Sequence, residues 1–587
     1  MLDTLPWDAL THVVAQCLTW KSTMAAWDAI LALTSVSTTV SCVARTYLHC
    51  LTSARDPPLQ LIPLLTSLET ISFDGHTCVV DDLMLATICA PHTLRHISLR
   101  NCSRVTDCAV THLCARHPVI WSLELVECHQ VACIPQSHPS LTHVDASGCF
   151  LVNVAPLHLH SLSLCGCWNV VTSSIDTFVS HKMHTLNLSG CTISSIESLR
   201  HCVHLVHLDM STCCEVTDIS PLCSCTLLAH VNFGRCYGVT DFTPFLQGPA
   251  ASTLRDLNLD YCINVDAVGG VGPKLETLSL KRCNVLDASI VRKVVTSNCS
   301  TLQMLDLFLC TQIVDLQSIT RGCPLLTSLA IGRCDQVADV EAALKSVPAL
   351  STLDMQNCNV TDDWLDALQH CPMLKRLGLM SCSEVTNVGV LRLARHCPRL
   401  VHVDLYGCDF VGDTGVIALA TWCNQLEVVE LYNTRVTDVG VVALSSCVHL
   451  THVDVRHCPF VGDNGVVALA VHCPHLQRLQ LYDAYNVTDV AVRTIGLKCA
   501  FLTHLSLTFS KLVTDVRCLA NCTLLRTLDV YGCDVCDLTD VIARCVHLET
   551  LWVCRSEKTR TLVRLLNQSI SLYPEDEWDE GGVECMF

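Results

Sequence analysis

The sequence predicts an α/β solenoid, with a parallel sheet on its concave side and helices on its convex side. A 26-residue segment recurs, as CPRLVHVDLYGCDFVGDTGVIALATW from Cys397 to Trp422 and as CVHLTHVDVRHCPFVGDNGVVALAVH from Cys447 to His472. Related units begin at about 21 places between Leu68 and Leu548. A unit of this length cannot bury its own apolar face, so neighbouring units must stack. We therefore expect one continuous superhelix over residues 59–554.

Each repeat divides into a strand, a turn and a helix. In the pattern L-x-x-L-x-L, alternate residues point to opposite faces of a strand. In the repeat at Leu400, Val403 and Leu405 are predicted to face the core, and His402, Asp404 and Tyr406 the concave surface. The Val-Thr-Asp that follows many strands places a Thr or Asp where it can cap the next helix.

The cysteine content indicates buried thiols. The chain has 43 cysteines, and most fall on two repeat positions, one before the strand and one after it. A free cysteine packs as a small hydrophobic residue. The N-terminal MLDTLPWDALTHVV has neither a basic region nor a clean apolar core, so it does not resemble a secretory signal. We expect reduced cysteines and a cytoplasmic or nuclear location.

Charge and hydropathy exclude two classes of partner. The formal net charge is −19, and we find no basic stripe of the kind that phosphate backbones require. No run of about 18 residues is free of polar interruption, so no transmembrane helix is predicted. We expect neither nucleic acid nor a membrane to be the main partner.

Residues 1–58 depart from the repeat. Leu5-Pro6 precedes a helical pattern of apolar residues, and a second pattern follows from Ile30 at spacings of three and four. One interpretation is a helical cap over the exposed apolar edge of the first repeat, since a solenoid needs capped ends. Residues 555–587 are predicted to form a C-terminal helix and an acidic tail, partly disordered.

The N-terminal segment resembles an F-box, and the repeats resemble the cysteine-containing class of leucine-rich repeats. The first resemblance rests on Leu5-Pro6 and on Ile30-x-x-Leu33-x-x-Val36-Ser37-x-x-Val40, the second on the repeats from about residue 60 to 554. Together they imply the substrate-recognition subunit of a Skp–cullin–F-box ubiquitin ligase, with a Skp-type adaptor and a cullin scaffold as partners. The positions matching the apolar pattern that contacts the adaptor or holds the F-box together are Leu5, Pro6, Leu10, Val14, Ile30, Leu33 and Val36.

Aromatic residues recur at one outward position near the C-terminal end. Four of the chain's nine tyrosines fall there in seven consecutive repeats. Tyrosine combines rigid apolar area with a hydroxyl group and is common at protein interfaces. An alternative is that aromatic residues simply suit exposed strands. This position reads Met380, Tyr406, Tyr432, Arg456, Tyr482, Thr508 and Tyr531.

His-x-Asp pairs recur on the same predicted face, including His402 with Asp404 and His452 with Asp454. Metal ligands must converge on one point, whereas these side chains are expected in parallel rows. The pairs also lack a nearby nucleophile on a strained turn. We therefore expect no catalytic residue, metal or cofactor, and an acidic surface that favours a basic segment on a partner.

The leading hypothesis is a non-enzymatic subunit that holds an unidentified protein target on its concave face. The partner-binding candidates are Tyr406, Tyr432, Arg456, Tyr482, Tyr531, His402, Asp404, His452 and Asp454. The alternative is a stand-alone leucine-rich-repeat scaffold whose N-terminus only caps the solenoid. An enzyme using the His-x-Asp pairs or the cysteines is a third hypothesis.

Overall fold

The structure is a computed structural model. It describes residues 50–52, 70–73, 80–87, 94–134, 138–150, 159–265, 274–286, 288–338, 340–535, 537–553 and 571–572. The predicted adaptor-binding residues, from Leu5 to Val36, lie outside the described residues, as does most of 555–587. The boundaries predicted at 58 and 554 therefore stay predictions.

Two compact units divide the chain, an N-terminal unit, Met1–Val285, and a C-terminal unit, Leu286–Phe587. In the N-terminal unit, neighbouring strands pair in parallel, in chain order and in register. Its strands are β1 (Cys50–Thr52), β2 (Thr70–Ser72), β3 (His96–Ser98), β4 (Ser122–Glu124), β5 (His143–Asp145), β6 (Ser161–Ser163), β7 (Thr185–Asn187), β8 (His207–Asp209), β9 (His230–Asn232), β10 (Asp256–Asn258) and β11 (Thr277–Ser279).

The C-terminal unit repeats this arrangement, again with parallel pairing of strands in chain order. Its strands are β12 (Met304–Asp306), β13 (Ser328–Ala330), β14 (Thr352–Asp354), β15 (Arg376–Gly378), β16 (His402–Asp404), β17 (Val428–Glu430), β18 (His452–Asp454), β19 (Arg478–Gln480), β20 (His504–Ser506), β21 (Thr527–Asp529), β22 (Thr550–Trp552) and β23 (Ser571–Leu572). The strands β1 and β23 lie within segments that the sequence placed outside the repeats.

Helices and 3-10 turns connect the strands. The N-terminal unit contains α1 (Asp82–Thr87), α2 (Asp107–Arg116), α3 (Thr172–Phe178) and α4 (Thr243–Leu246), with 3-10 turns at Glu197–His201, Ser220–Ser224 and Pro249–Ser252. The C-terminal unit contains α5 (Ala288–Asn298), α6 (Leu316–Thr320), α7 (Val340–Lys345), α8 (Asp362–Asp366), α9 (Asn387–His396), α10 (Asp413–Trp422), α11 (Asp438–Leu444), α12 (Asp463–His472), α13 (Asp489–Lys498) and α14 (Thr539–Arg544), with 3-10 turns at Ala367–His370 and Arg517–Asn521. None of the described helices is long and apolar enough to span a bilayer.

The alternation predicted for the strands is confirmed. In β16, Val403 is fully buried and so is Leu405 just beyond it, whereas His402, Asp404 and Tyr406 are only half-buried. The central residue of each strand from β2 to β22 joins the core, because successive side chains of a strand point to opposite faces. We name the other face, which carries the first and third strand residues, the open face.

The cysteines that follow the strands do more than fill space. Their thiols donate to a backbone carbonyl of the preceding repeat, as Cys382 does to Met355 (3.3 Å), Cys408 to Leu379 (3.2 Å) and Cys458 to Leu431 (3.1 Å). Ser510 takes the same position and donates its hydroxyl to the carbonyl of Leu481, at 3.4 Å. The position thus takes a small side chain, which in most repeats also carries a weak donor, whereas the buried Ala484 fills it without one.

Thiol labelling distinguishes these cysteines from the surface ones. Burial raises the pKa of the Cys382 thiol to about 12, so its reactive thiolate is scarce at neutral pH. We expect the exposed Cys108, Cys133 and Cys214 to react with iodoacetamide in the native protein, and Cys382 to react only after unfolding. Peptide mass spectrometry under reducing conditions measures this. Native labelling of Cys382 as fast as that of Cys214 would contradict it.

The Val-Thr-Asp segments join consecutive repeats. As predicted, the threonine caps its own helix, since Thr437 Oγ1 accepts from the backbone N–H of Val439 at 3.2 Å. The aspartate, however, serves the next repeat, both in Val-Thr-Asp and in the Val-Gly-Asp variant that contains Asp413. Asp413, at the start of α10, accepts from the N–H of Thr437 (2.8 Å), the N–H of Gly440 (3.0 Å) and the hydroxyl of Thr437 (2.7 Å). We name this arrangement the aspartate clamp.

The clamp recurs along the C-terminal unit. Asp362 bonds Thr386, Asp438 bonds Gly462 and Gly465, and Asp463 bonds Thr488. Glycine in the helix permits this close approach, because a Cβ on Gly440 would lie 2.7 Å from Asp413 Oδ1. The helices of neighbouring repeats are therefore joined by hydrogen bonds as well as by apolar packing.

Candidate functional site

The open face of the C-terminal unit places like positions in rows. Because β16 to β19 pair in register, His402, Val428, His452 and Arg478 form one row. Asp404, Glu430, Asp454 and Gln480 form the next row. The second residue after each strand forms a third row, which contains the predicted tyrosines. A parallel sheet with paired neighbours holds these side chains on a rigid support.

An unbroken series of rings crosses six repeats on this face. We name it the aromatic ladder: Tyr406, Tyr432, His457, Tyr482, Phe509 and Tyr531. Tyr406 and Tyr432 stack with centroids 4.0 Å apart and planes 2° apart. The four following contacts have centroid separations of 4.8, 4.8, 5.4 and 5.4 Å. Stacked, tilted and edge-to-face ring contacts hold the ladder together, so it is a preorganised aromatic surface.

The structure brings the predicted tyrosines together only in part. Tyr406 and Tyr432 touch directly, whereas Tyr482 and Tyr531 join them through His457 and Phe509. The sequence analysis did not select these two linking residues. Both have a left-handed backbone, with φ of 53° at His457 and 59° at Phe509, in the turn directly after the strand. The sequence did carry a signal for them, because each is an aromatic or imidazole residue directly after a member of the tyrosine row: His457 follows Arg456, and Phe509 follows Thr508.

Gly532 makes room for one of the linking rings. A Cβ at Gly532 would lie 2.2 Å from Phe509 Cδ1, and the glycine itself has a φ of 73°. Any other residue would displace the Phe509 ring and would also be strained in the left-handed region. The contact between Phe509 and Tyr531 thus depends on this glycine.

Arg456 occupies a tyrosine position within the row. Its guanidinium lies 5.2 Å from the ring centroid of Tyr432. It also donates to both carboxylate oxygens of Asp454, from Nε at 3.0 and 2.9 Å and from Nη2 at 2.6 Å. Asp454 is only 7% exposed. A cation stacked on an aromatic ring and paired with a buried carboxylate is therefore already part of this surface.

Two further carboxylates on this face, Asp404 and Asp529, lie where burial disfavours their charged form. Burial raises the pKa of Asp404 to about 7, and the neighbouring Glu430 acts in the same direction. Burial also raises the pKa of Asp529, against hydrogen bonds from Thr508, Tyr531 and Ser506 that lower it. Burial disfavours the charged form of both carboxylates, and at Asp404 a neighbouring negative charge adds to this, so a cation placed beside either would be stabilising.

His402 and His452, the histidines of two His-x-Asp pairs, have partners other than the aspartate of their own pair. His402 Nε2 lies 3.5 Å from Glu430 Oε1 on the adjacent strand, and His452 Nδ1 lies 2.7 Å from the hydroxyl of Thr451. Burial lowers the pKa of His452, and Arg478 adds to this effect. Within the described residues, no group of three or more His, Cys, Asp or Glu side chains could hold a metal ion. Each of these two histidines is thus held by a polar group other than the aspartate two residues further on.

A cavity lies in front of the aromatic ladder, with a volume of about 370 Å³. Rings, hydroxyl groups and charged groups share its wall, which combines apolar area with polar anchors. Four of the nine partner-binding candidates line it, and Asp454 is paired with one of these four, Arg456. Its lining residues are Tyr406, Tyr432, Arg456, His457, Gln480, Tyr482, His504, Leu505, Ser506, Thr508, Thr527, Asp529 and Trp552.

The open face of the N-terminal unit differs in chemistry. At the position equivalent to the tyrosine row it carries no tyrosine in the described repeats, and three of them have serine there: Ser147, Ser189 and Ser211. Hydroxyl groups pair between repeats, Ser147 with Ser163 at 2.8 Å and Ser189 with Ser211 at 2.7 Å. These polar groups are satisfied within the sheet. The aromatic surface of the C-terminal unit is thus the stronger candidate for binding.

Comparison with known families confirms the repeats. A model described as leucine-rich repeats (2 copies) matches residues 181–224, and a second leucine-rich-repeat model matches residues 396–420 and 446–470. No curated protein matches the sequence. With parallel strands and helices in both units, the chain has the α/β leucine-rich-repeat fold that the sequence predicted.

Solved structures of similar fold include three that differ widely in origin. An internalin from Listeria monocytogenes is 19% identical, with 60% of this chain and 81% of that chain covered and a TM-score of 0.35. A TLR13–ssRNA13 complex is 15% identical, with coverages of 86% and 76% and a TM-score of 0.47. The Rad7–Elc1 complex from yeast is 15% identical, with coverages of 50% and 84% and a TM-score of 0.36. Such likeness concerns the fold alone.

Proposed function

We propose that this leucine-rich-repeat protein is the substrate-recognition subunit of a Skp–cullin–F-box ubiquitin ligase in the cytoplasm or nucleus. Its C-terminal unit holds a protein target on the open face. The observation that carries the target-binding part is the aromatic ladder, since rigid aromatic residues beside an arginine are typical anchors of protein interfaces. The adaptor-binding part is supported by the F-box-like pattern from Leu5 to Val36.

The two parts of the proposed role are separated along the chain. Residues 1–58 bind the Skp-type adaptor and through it the cullin, while the repeats select the protein to be modified. The ubiquitin transfer itself belongs to other subunits, so this chain needs no catalytic residue. The acidic row of Asp404, Glu430 and Asp454 favours a target that presents positive charge, because complementary charge guides association.

Co-purification tests the adaptor-binding part. We expect the tagged full-length chain to retain a Skp-type adaptor and a cullin, and the double variant Leu5→Asp, Pro6→Ala to lose both. A charge in place of Leu5 cannot enter an apolar adaptor surface without a large desolvation cost. Quantitative mass spectrometry of the purified material measures the retained adaptor.

The matched control is the double variant Tyr406→Ala, Tyr432→Ala, which alters the aromatic ladder and leaves residues 1–58 intact. It is expected to retain the adaptor at the wild-type level. If the wild-type chain carries no adaptor, the ligase role is wrong. If the Leu5 and Pro6 variant still carries it, the F-box-like residues are not the attachment point.

The second candidate function is a stand-alone interaction scaffold with residues 1–58 as a cap. Its support is the physical need to cover the apolar edge of the first repeat. Deleting residues 1–55 would then lower the thermal stability of the remaining chain sharply. In the ligase role, the same deletion primarily removes adaptor binding.

A further inference from the structure

Two members of the third row, which consists of the second residue after each strand, interrupt its tyrosines. Arg456 stands between Tyr432 and Tyr482, and Thr508 stands between Tyr482 and Tyr531. The guanidinium of Arg456 fills the space in front of its repeat, over the Tyr432 ring and against Asp454. Thr508 is the equivalent residue two repeats further on, and its side chain is too short to do the same.

The surroundings of Thr508 nevertheless provide for a cation. The carboxylate of Asp529 lies beside it and accepts from the hydroxyls of Thr508 and Ser506. Tyr482 contributes an aromatic ring on the neighbouring repeat, as Tyr432 does beside Arg456. The cavity of about 370 Å³ is lined by Thr508, Tyr482 and Asp529. An aromatic ring with a carboxylate next to it is the combination that binds guanidinium groups.

The row of carboxylates on the open face points to the same ligand. Asp454 is matched by Arg456, while Asp404, Glu430 and Asp529 add three carboxylates along the same row. Asp404 and Glu430 repel each other across adjacent strands. A partner with several positive charges would relieve this repulsion, and one with negative charges would increase it.

We propose that the cavity binds an arginine side chain from an extended basic segment of the target protein. The incoming guanidinium takes, next to Tyr482 and Asp529, the position that Arg456 takes next to Tyr432 and Asp454. Neighbouring positive residues of the same segment lie along the acidic row towards Asp404. This inference rests on the proposed role of the open face in holding a target, and it names the chemistry of that target.

Peptide titration against the full chain tests the inference. The probe is a fluorescent nonapeptide of alternating glycine and arginine, and its matched control replaces each arginine by citrulline, which is neutral and almost the same shape. We expect the arginine peptide to bind at least tenfold more tightly by fluorescence anisotropy, with affinity that falls as salt rises. The lysine analogue is expected to bind more weakly than the arginine peptide.

Variants locate the bound side chain. Asp529→Asn keeps the shape of the carboxylate and is expected to weaken arginine-peptide binding about tenfold, whereas Asp145→Asn, at the same strand position in the N-terminal unit, leaves it unchanged. Tyr482→Leu removes the ring without touching Asp529 and is expected to weaken binding similarly. If Asp529→Asn lowers the melting temperature, the Tyr482→Leu variant still tests whether the peptide binds at this place.

Three results would overturn the inference. The first is equal affinity for the arginine and citrulline peptides, and the second is unchanged affinity for the arginine peptide in both Asp529→Asn and Tyr482→Leu. The third is tighter binding of an oligothymidine probe than of the arginine peptide, since bases also stack on aromatic rows. The ligase proposal is tested separately by adaptor co-purification. A chain that binds the arginine peptide but no adaptor would keep this inference and remove only the ligase role.

Discussion

Replacing Phe233 by alanine is expected to destabilise the N-terminal unit by about 4 kcal/mol. Phe233 follows β9 at a position where most repeats have leucine, and it is fully buried. Its ring contacts Phe242 and Phe245, which are also fully buried, at centroid distances of 5.3 and 6.0 Å. Alanine would lose the transfer energy of the ring and leave a cavity that close-packed neighbours cannot fill.

Urea unfolding followed by circular dichroism measures this effect, and hydrogen exchange assigns it to the repeats around β9. Phe150→Ala is the matched control, because Phe150 is 41% exposed in the same unit. We expect the control to cost less than about 1 kcal/mol. A loss below about 1 kcal/mol for Phe233→Ala would mean that this aromatic cluster is not a tightly packed core.

Asp413→Ala is expected to destabilise the C-terminal unit by about 3 kcal/mol. The substitution removes three hydrogen bonds of the aspartate clamp, two of them to backbone N–H groups at the start of the next helix. Bonds to a charged acceptor are stronger than neutral ones, and the freed donors lie in a half-buried contact that water satisfies incompletely.

Hydrogen exchange is the most direct measurement, since a repeat protein can open locally at the damaged junction. Amides of Thr437 and Gly440 are expected to lose protection first. Asp409→Ala is the matched control: Asp409 is exposed and accepts one side-chain bond, from Asn433 at 2.8 Å. Equal exchange in the two variants would show that the clamp contributes no more than a surface hydrogen bond.

The repeat sequence contained most of the fold, because its determinants are local or periodic. Alternation along each strand assigned Val403 and Leu405 to the core, and the cysteine rows predicted buried thiols, both as observed. The threonine caps were also predicted, since a cap depends on residues two or three positions away. The F-box-like residues from Leu5 to Val36 stay a prediction, because they lie outside the described part of the chain.

The candidate surface could be predicted only in part from sequence. Spacing identified Tyr406 and Tyr432 as neighbours, because strand register alone places them side by side. Spacing did not identify His457 and Phe509 as the links to Tyr482 and Tyr531. Both lie in the turn after the strand, where the backbone is left-handed in most repeats, and the alternation of a strand does not predict where side chains of that turn point.

By itself, the sequence determined a stacked α/β repeat, the faces of its strands and the acidic, tyrosine-rich character of one surface. Only the tertiary structure decided which groups meet across repeats. It paired Arg456 with Asp454 and Tyr432, joined Asp413 to the following helix, and opened a cavity beside Asp529. The reason is physical: contacts within a repeat follow from short-range backbone geometry, whereas contacts between repeats depend on the register and spacing that stacking imposes.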